Sequence, residues 1–297
     1  TLPTAFGEKM VMRIFDPEVL LKSFDKLGFS PDDLKRWQSM TSQPNGIILV
    51  TGPTGSGKTT TLYTTLKQLA TPEVNVCTIE DPIEMIEGTF NQMQVQSNID
   101  LTFASGVRAL MRQDPDIIMV GEIRDLETAE MAIQAALTGH LVLSTLHTND
   151  APSAITRLLE LGVPHYLLKA TLLGVMAQRL VRTLCPHCKA PQALDEDGWQ
   201  SLTKPWSAPL PTQACSAVGC LECRDTGYRG RAGVYEIMLI NDAMKPLITA
   251  DTDLIALRRH AFKEGMRSLR LSGAQKVAAG LTTIEEVLRV TPQSEQK

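Results

Sequence analysis

Short runs of apolar, often β-branched residues alternate along the chain with segments in which apolar positions recur at helical spacing. Residues 47–50, 75–80, 117–120 and 141–146 each predict a buried strand. Near-continuous apolar strands that alternate with helices are typical of a parallel sheet with both faces covered. The pattern therefore predicts an α/β fold, in which functional side chains gather at the carboxyl ends of the strands.

Helix start and stop signals fill the segments between these strands. Ser30 and Thr102 are predicted N-caps, and Asp150 is predicted to cap a helix that ends at Gly162. Residues 126–138 predict a further helix, which Gly139 closes. Towards the N-terminus, residues 10–15 predict a strand, and residues 242–290 predict a helical C-terminal region.

The first predicted strand runs directly into a glycine-rich loop and the start of a helix. The loop fits the spacing G-x-x-x-x-G-K-[ST], whose backbone amides and following helix N-terminus bind phosphate groups. Lys58 can reach the β- and γ-phosphates, and the Thr59 hydroxyl is placed to ligate Mg²⁺. The segment therefore predicts a nucleoside triphosphate site, whose residues are Gly52, Pro53, Thr54, Gly55, Ser56, Gly57, Lys58, Thr59 and Thr60.

Carboxylates and a histidine follow the other predicted strands. Glu122 follows 117–120, with Gly121 where a Walker B motif normally carries aspartate, and Glu80 ends the strand before Asp81. Glu122 could meet the metal or polarise a water, and Glu80 could share that work. His147 ends 141–146, where it could sense the γ-phosphate. The alternative for Glu122 is a carboxylate that only caps the next loop, and the alternative for Glu80 and Asp81 is a charged loop. The alternative for His147 is a structural histidine.

Two C-x-x-C pairs lie about thirty residues apart, and the chain carries no secretion signal. Four thiolates presented in two such pairs suit a tetrahedral Zn²⁺ site, which would hold together an insert that is poor in apolar core. Disulfides are the alternative. The predicted zinc ligands are Cys185, Cys188, Cys220 and Cys223, and neither Cys215 nor His187 receives a role.

Composition narrows the classes of function. The formal net charge of the 297 residues is −4 and aromatic residues make up 5%, which disfavours a nucleic-acid motor because such motors present basic loops and stacking aromatics. A small-molecule kinase would carry a lid with clustered arginines, which the sequence lacks. The sequence contains no apolar run of about eighteen residues, which is the length that would predict a membrane span. Because the chain starts at Thr1, we expect it to be a piece of a longer protein.

Taken together, these motifs resemble the type II secretion subfamily of the secretion and pilus traffic ATPases. The resemblance covers nearly the whole chain and includes GPTGSGKTT, TIEDPIE, RQDPDIIMVGEIRD and TGHLVLSTLHTND. The family's Walker B also has glycine in place of aspartate, so Gly121 supports the resemblance. LCPHC and CLEC match the family's tetracysteine zinc module, which pilus-assembly ATPases share and retraction-type ATPases lack.

The resemblance implies a cytoplasmic, hexameric ATPase that lies against the inner membrane and uses ATP, Mg²⁺ and Zn²⁺. It implies a RecA-like core, contacts with an inner-membrane platform and acidic phospholipid as a further partner, and an arginine, Arg13, that meets the phosphates. Arg108 and Arg112 are weaker candidates. Type II secretion through a pseudopilus is the leading function and pilus assembly the alternative. The implied divisions are 1–29 (N-terminal remnant and linker), 30–184 (core), 185–228 (zinc module) and 229–297 (C-terminal strand and helices).

Overall fold

The structure, a computed structural model, describes residues 1–12 and 23–292. Its strands are β1 (Leu2–Thr4), β2 (Gly7–Lys9), β3 (Gly46–Thr51), β4 (Val76–Glu80), β5 (Asn91–Gln94), β6 (Ile117–Val120), β7 (Leu141–Leu146), β8 (Leu172–Leu184), β9 (Ala190–Pro191), β10 (Cys215–Ser216) and β11 (Tyr228–Leu239). Its α-helices are α1 (Phe24–Leu27), α2 (Pro31–Thr41), α3 (Lys58–Leu69), α4 (Phe103–Leu110), α5 (Leu126–Leu137), α6 (Ser153–Glu160), α7 (His165–Thr171), α8 (Glu196–Thr203), α9 (Leu254–Lys263), α10 (Leu269–Ala278) and α11 (Ile284–Val290).

A mostly parallel sheet forms the centre of the fold. Within the described ranges it has seven strands in the order β11-β8-β3-β7-β6-β4-β5, and only the edge strand β11 runs antiparallel to its neighbour. All four strands predicted from the apolar runs belong to this sheet, so the prediction of an α/β fold with a parallel sheet is confirmed. The strand that precedes the glycine-rich loop, β3, lies between β7 and β8.

Apolar side chains pack against both faces of this sheet. Ile47 and Leu49 on β3 belong to the core under α4, α5 and α7, whereas Ile48 and Val50 belong to the core on the other face. Trp37 of α2 is fully buried in that second core. Alternate residues of one strand thus serve two cores, which explains why β3 is an unbroken apolar run.

Several elements differ from the sequence-based expectations. Residues 1–9 form a hairpin of β1 and β2, and Met10–Met12 are outside any strand, so the predicted strand over 10–15 is wrong for 10–12; residues 13–15 lie outside the described ranges. Helix α6 begins at Ser153 rather than next to Asp150, although the Asp150 carboxylate still accepts a hydrogen bond from the Ser153 amide at 2.8 Å. No described helix is both long and apolar enough to cross a membrane.

The last helix is fastened to the sheet by a buried carboxylate. The Glu286 side chain on α11 is 1% exposed and accepts hydrogen bonds from the Arg182 guanidinium at 2.9 Å and from Arg289 at 2.7 Å. The Arg182 guanidinium also lies 4.1 Å from the centre of the Tyr228 ring. Burial alone would raise the pKa of Glu286, but the hydrogen bonds and charges of Arg289 and Arg182 lower it to about 2.

We expect Glu286→Gln to destabilise the chain at neutral pH, because two guanidinium groups would lose their charged partner. The loss should be about 1–2 kcal/mol of unfolding free energy, the scale for lost hydrogen bonds to a charged group, because the Arg182 and Arg289 side chains are 46% and 59% exposed and water can solvate them. A carboxylate with a depressed native pKa stabilises the fold above its unfolded pKa and loses that contribution as the pH falls. The difference between wild type and variant should therefore shrink between about pH 4.5 and pH 2. Denaturant unfolding at several pH values measures it, and a pH-independent difference would contradict the ion-pair explanation.

Candidate nucleotide-binding site

The glycine-rich loop begins where β3 ends and passes into α3. Gly52 and Gly57 adopt φ angles of +148° and +87°, which residues other than glycine rarely adopt. At Gly52 a Cβ atom would also lie 2.5 Å from the backbone oxygen of Gln178 on β8. The buried Gln178 amide donates a hydrogen bond to the Ser56 carbonyl at 2.8 Å and accepts one from the Thr61 hydroxyl at 2.9 Å. The loop is therefore pressed against β8, and its amides form a rigid concave surface.

Lys58 lies over this loop. Its ammonium group donates hydrogen bonds to the carbonyl oxygens of Gly52 at 2.7 Å and Pro53 at 3.2 Å. Partial burial lowers the pKa of Lys58, and the nearby Glu122 carboxylate opposes that shift. A lysine fixed over a nest of backbone amides has the geometry that binds the phosphates of a nucleotide, so the residues present fit this ligand.

An open cleft of about 440 Å³ lies in front of the loop and at the carboxyl ends of β4, β6 and β7. Most of the predicted site residues line it, whereas Gly52 and Pro53 lie behind, where their carbonyls hold Lys58. The predicted residues in the lining are Thr54, Gly55, Ser56, Gly57, Lys58, Thr59, Thr60, Glu80, Glu122 and His147. Side chains from four separate motifs thus face one space.

Glu122 and His147 lie next to each other on the far wall. The Glu122 carboxylate accepts a hydrogen bond from the Arg124 guanidinium, and its other oxygen lies 3.4 Å from His147 Nε2. A Cβ atom at the preceding Gly121 would lie 3.2 Å from both the Ile79 oxygen and the Phe103 ring. Little room therefore exists for the aspartate of an ordinary Walker B motif, and Glu122 is the carboxylate that the strand end presents.

Sequence reasoning missed further groups at the cleft. Arg231 reaches the lining from β11 and Leu180 from β8, although neither belongs to a motif. Gln178 did leave a signal, because it is a polar residue within the apolar run of β8. Arg108 and Arg112 do not line the cleft, and Arg108 instead lies 3.8 Å from Glu127. The predicted Arg13 lies outside the described residues.

The four predicted zinc ligands come together at the end of β8, away from the cleft. Their sulfur atoms all lie within 4.8 Å of one another, with separations of 3.9 Å for Cys185–Cys220, 3.8 Å for Cys188–Cys223 and 3.7 Å for Cys220–Cys223. A tetrahedron with metal–sulfur bonds of about 2.3 Å has sulfur–sulfur edges of about 3.8 Å, whereas a disulfide bond is about 2.05 Å long. The cluster therefore fits a four-thiolate metal site and excludes the alternative of disulfides.

Backbone amides point at these sulfur atoms. The Gly219 amide donates to Cys188 Sγ at 3.3 Å, and the amides of Cys220 and Gly227 donate to Cys223 Sγ, each at 3.2 Å. Burial raises the pKa of Cys223, but the hydrogen bonds from those two amides outweigh it, so the pKa falls below the usual thiol value. At Cys223 these contacts favour the thiolate form, which is the form that binds metal, whereas burial raises the pKa of Cys188 despite the Gly219 amide.

The sequence matches the family model described as type II/IV secretion system protein over residues 1–289. It is 64% identical over 292 residues to the type IV pilus assembly ATPase TfpB of Acinetobacter baylyi, covering 98% of this chain and 50% of that protein. It is 52% identical over 291 residues to the type II secretion system protein E of Pseudomonas aeruginosa, covering 98% of this chain and 57% of that protein. The chain thus spans little more than half the length of these relatives.

A solved structure shares the architecture. The crystal structure of the pilus retraction motor PilT with bound ADP superposes with a TM-score of 0.66 at 29% sequence identity, covering 92% of this chain and 68% of that one. The X-ray structure of the ATPase DotB from Legionella pneumophila matches with a TM-score of 0.65 at 22% identity, covering 91% and 65% of the two chains. The second likeness concerns the fold alone.

The packing of the loop against β8 makes Gly52 more sensitive to substitution than Gly55, beside which a Cβ atom would have no neighbour within 4 Å. We expect Gly55→Ala to cost about 1 kcal/mol of unfolding free energy, since the strain of a positive φ is the main penalty. Gly52→Ala should cost at least about 2 kcal/mol more, because the methyl group must displace β8. Urea unfolding of both variants measures the contrast, and equal losses would show that the contact with Gln178 is unimportant.

Proposed function

Because the chain belongs to the type II/IV secretion system protein family, we propose that it binds and hydrolyses ATP as the motor portion of such a machine. The observation that carries this proposal is the single cleft on which the glycine-rich loop, Glu80, Glu122 and His147 converge. A nucleotide held by the loop would have its γ-phosphate between Lys58 and these side chains. One structure with the same architecture, the pilus retraction motor PilT at 29% identity, holds ADP.

In this proposal each group has a defined part. The loop amides bind phosphate oxygens, and Lys58 stabilises the charge that develops between the β- and γ-phosphates. The Thr59 hydroxyl is the side chain that would hold Mg²⁺, which neutralises phosphate charge when bound. Glu122 orients a water molecule and accepts its proton, and His147 adjoins that carboxylate. Glu80 supplies a second, fixed negative charge near the water.

The mechanical task is the assembly of a filament. Type II protein secretion through a pseudopilus is the leading function, because several relatives at 47–52% identity are named type II secretion proteins. Type IV pilus assembly is the second candidate, and the 64% identity to a pilus assembly ATPase favours it. Both tasks consume ATP to build a filament, so the cleft serves either one.

We extend the proposal to assembly and location. A RecA-like core of this kind would work as a hexamer at the cytoplasmic side of the inner membrane, against platform proteins and acidic phospholipid. The core would occupy 30–184, with a linker remnant at 1–29 and the C-terminal strand and helices at 229–297. Arg13 would then close the site from the N-terminal side. The open mouth of the cleft supports this part, because an open site admits water that competes with ordered charge stabilisation.

We also propose that the tetracysteine cluster holds one structural Zn²⁺. The four sulfur positions match a tetrahedron without an open coordination position, which is typical of structural zinc rather than catalytic zinc. Regular structure in the surrounding module, 185–228, is confined to short pieces: α8, the two-residue strands β9 and β10, a 3₁₀ turn at Leu221–Cys223 and the first residue of β11. Metal binding would stabilise the loops between them.

The hydrolysis proposal predicts that binding and chemistry separate between two variants. Lys58→Ala should lose most nucleotide affinity, whereas Glu122→Gln should bind ATP normally and hydrolyse it at least about 10²-fold more slowly. Lys67→Ala is the matched control, because this lysine lies on the same helix but pairs with Glu87 outside the cleft lining. Phosphate release and binding of a fluorescent ATP analogue measure the two properties. Normal turnover by Lys58→Ala would refute the proposal.

The zinc proposal predicts about one Zn²⁺ per chain after purification under reducing conditions. Cys220→Ser should lose most of the metal and make 185–228 sensitive to protease, while the cleft retains nucleotide binding because the parallel sheet has its own core. Cys215→Ser is the control, since Cys215 lies outside the cluster. Elemental analysis decides the matter. A folded wild-type chain without zinc, or equal loss in the control, would be contrary to the proposal.

A further inference from the structure

Glu80 is enclosed by uncharged hydrogen-bond donors, although it lines the cleft. Its side chain is buried, and one carboxylate oxygen accepts a hydrogen bond from the Tyr63 phenol at 2.6 Å. The other oxygen accepts a hydrogen bond from the Thr78 hydroxyl at 2.6 Å, and the Gln92 amide nitrogen lies 3.3 Å from it. These three side chains come from three different elements, α3, β4 and β5, so the Glu80 carboxylate links all three elements.

Tyr63 itself is held in one orientation. It is fully buried on α3, the helix that begins with Lys58, and its ring meets Phe90 edge-on with centroids 5.8 Å apart. The Gln92 amide donates to the phenol oxygen at 3.0 Å and to the Met85 carbonyl at 2.9 Å. The phenol oxygen therefore already accepts a hydrogen bond, which leaves its single proton for an acceptor.

The Tyr63 phenol donates its hydrogen bond to Glu80 rather than to the Met85 carbonyl. The distance from the phenol oxygen is 2.6 Å to Glu80 and 3.1 Å to Met85, and a charged acceptor forms the stronger hydrogen bond. Burial first, and then the adjacent Glu80, raise the pKa of Tyr63 far above its usual value. The phenol consequently remains protonated, and it remains a donor to Glu80 across the physiological pH range.

We propose that Tyr63 is a positioning residue of the nucleotide site, which holds the Glu80 carboxylate in one orientation at the wall of the cleft and ties β4 to the helix that carries Lys58. The inference rests on the proposed function, because it assigns Glu80 an electrostatic part in ATP hydrolysis. Without the phenol, Glu80 would keep only the Thr78 and Gln92 contacts on one oxygen and could rotate about that end. The helix would also lose its side-chain hydrogen bond to the strand that ends at the cleft.

Tyr63→Phe tests this role, with Tyr235→Phe as the matched control. Both tyrosines are fully buried and donate one hydrogen bond, but the Tyr235 phenol donates to the Leu27 carbonyl at 2.9 Å and does not line the cleft. A lost hydrogen bond to a charged group corresponds to roughly a 10- to 100-fold effect. We therefore expect Tyr63→Phe to lower kcat for ATP hydrolysis about 10-fold or more, with KM changed less than about threefold. The control should keep both constants within about twofold of wild type.

A second comparison separates positioning from general damage to the fold. If Tyr63 acts through Glu80, Tyr63→Phe should lower kcat by less than about twofold when Glu80→Gln is already present. Unchanged kcat in the single variant, or full additivity of the two substitutions, would overturn the inference while leaving ATP hydrolysis established. The inference would also be overturned if kcat fell in both Tyr63→Phe and Tyr235→Phe in proportion to their loss of thermal stability.

A spectroscopic measurement keeps the inference testable without hydrolysis. The ¹³Cδ resonance of Glu80 can be assigned by its absence in Glu80→Gln. It should move in Tyr63→Phe and stay in place in Tyr235→Phe. A wild-type chain that hydrolyses no ATP refutes the proposed function. In that case an unmoved Glu80 resonance in Tyr63→Phe would overturn the positioning contact on its own.

Discussion

The parallel pairing of β3 with β7 on one side and β8 on the other determines where the groups of the cleft lie. Thr51, the last residue of β3, is in register with Leu146 of β7 and with Ala177 of β8. The next residue along each of the three chain segments is Gly52, His147 and Gln178, respectively. The register therefore brings these three residues to the same level at the edge of the sheet. The Thr51 hydroxyl also accepts a hydrogen bond from the Thr148 amide at 2.8 Å, which fixes the chain directly after His147.

The same edge of the sheet holds two carboxylates in different surroundings. Glu80 receives neutral donors and is buried, whereas Glu122 lies beside Arg124, whose side chain is 61% exposed, and His147, which is 51% exposed. Exposed partners can move when a nucleotide binds, while a buried hydrogen-bond network resists rearrangement. This contrast suits Glu122 to a step in which a proton is transferred and Glu80 to a constant negative charge.

The sequence predicted what is local and missed what depends on pairing between distant segments. The glycine-rich loop, the apolar strands and the cysteine pairs are visible because their spacing itself carries the chemistry. Arg231 could not be found in this way, since it reaches the cleft only because β11 pairs antiparallel with β8. The predicted strand over 10–15 is wrong for 10–12 for a related reason, because apolar character alone does not supply a partner strand. Tyr63 belongs to none of the motifs that the sequence shows, and only the packing of α3 against β4 shows that its hydroxyl contacts Glu80.

The tetracysteine cluster acquires a structural meaning from its place in this sheet. Cys185 directly follows β8, its amide donates to the Gly227 carbonyl at 2.9 Å, and Tyr228 then begins β11. The cluster thus closes the end of the antiparallel pair whose strands carry Gln178 to the back of the glycine-rich loop and Arg231 to the cleft. Between β8 and β11 runs the long connection 185–227, and closing a loop of this length costs conformational entropy that a metal clip removes. The pairing itself continues to Gly174 and Leu239, so the sheet has hydrogen bonds of its own that do not involve the cysteines.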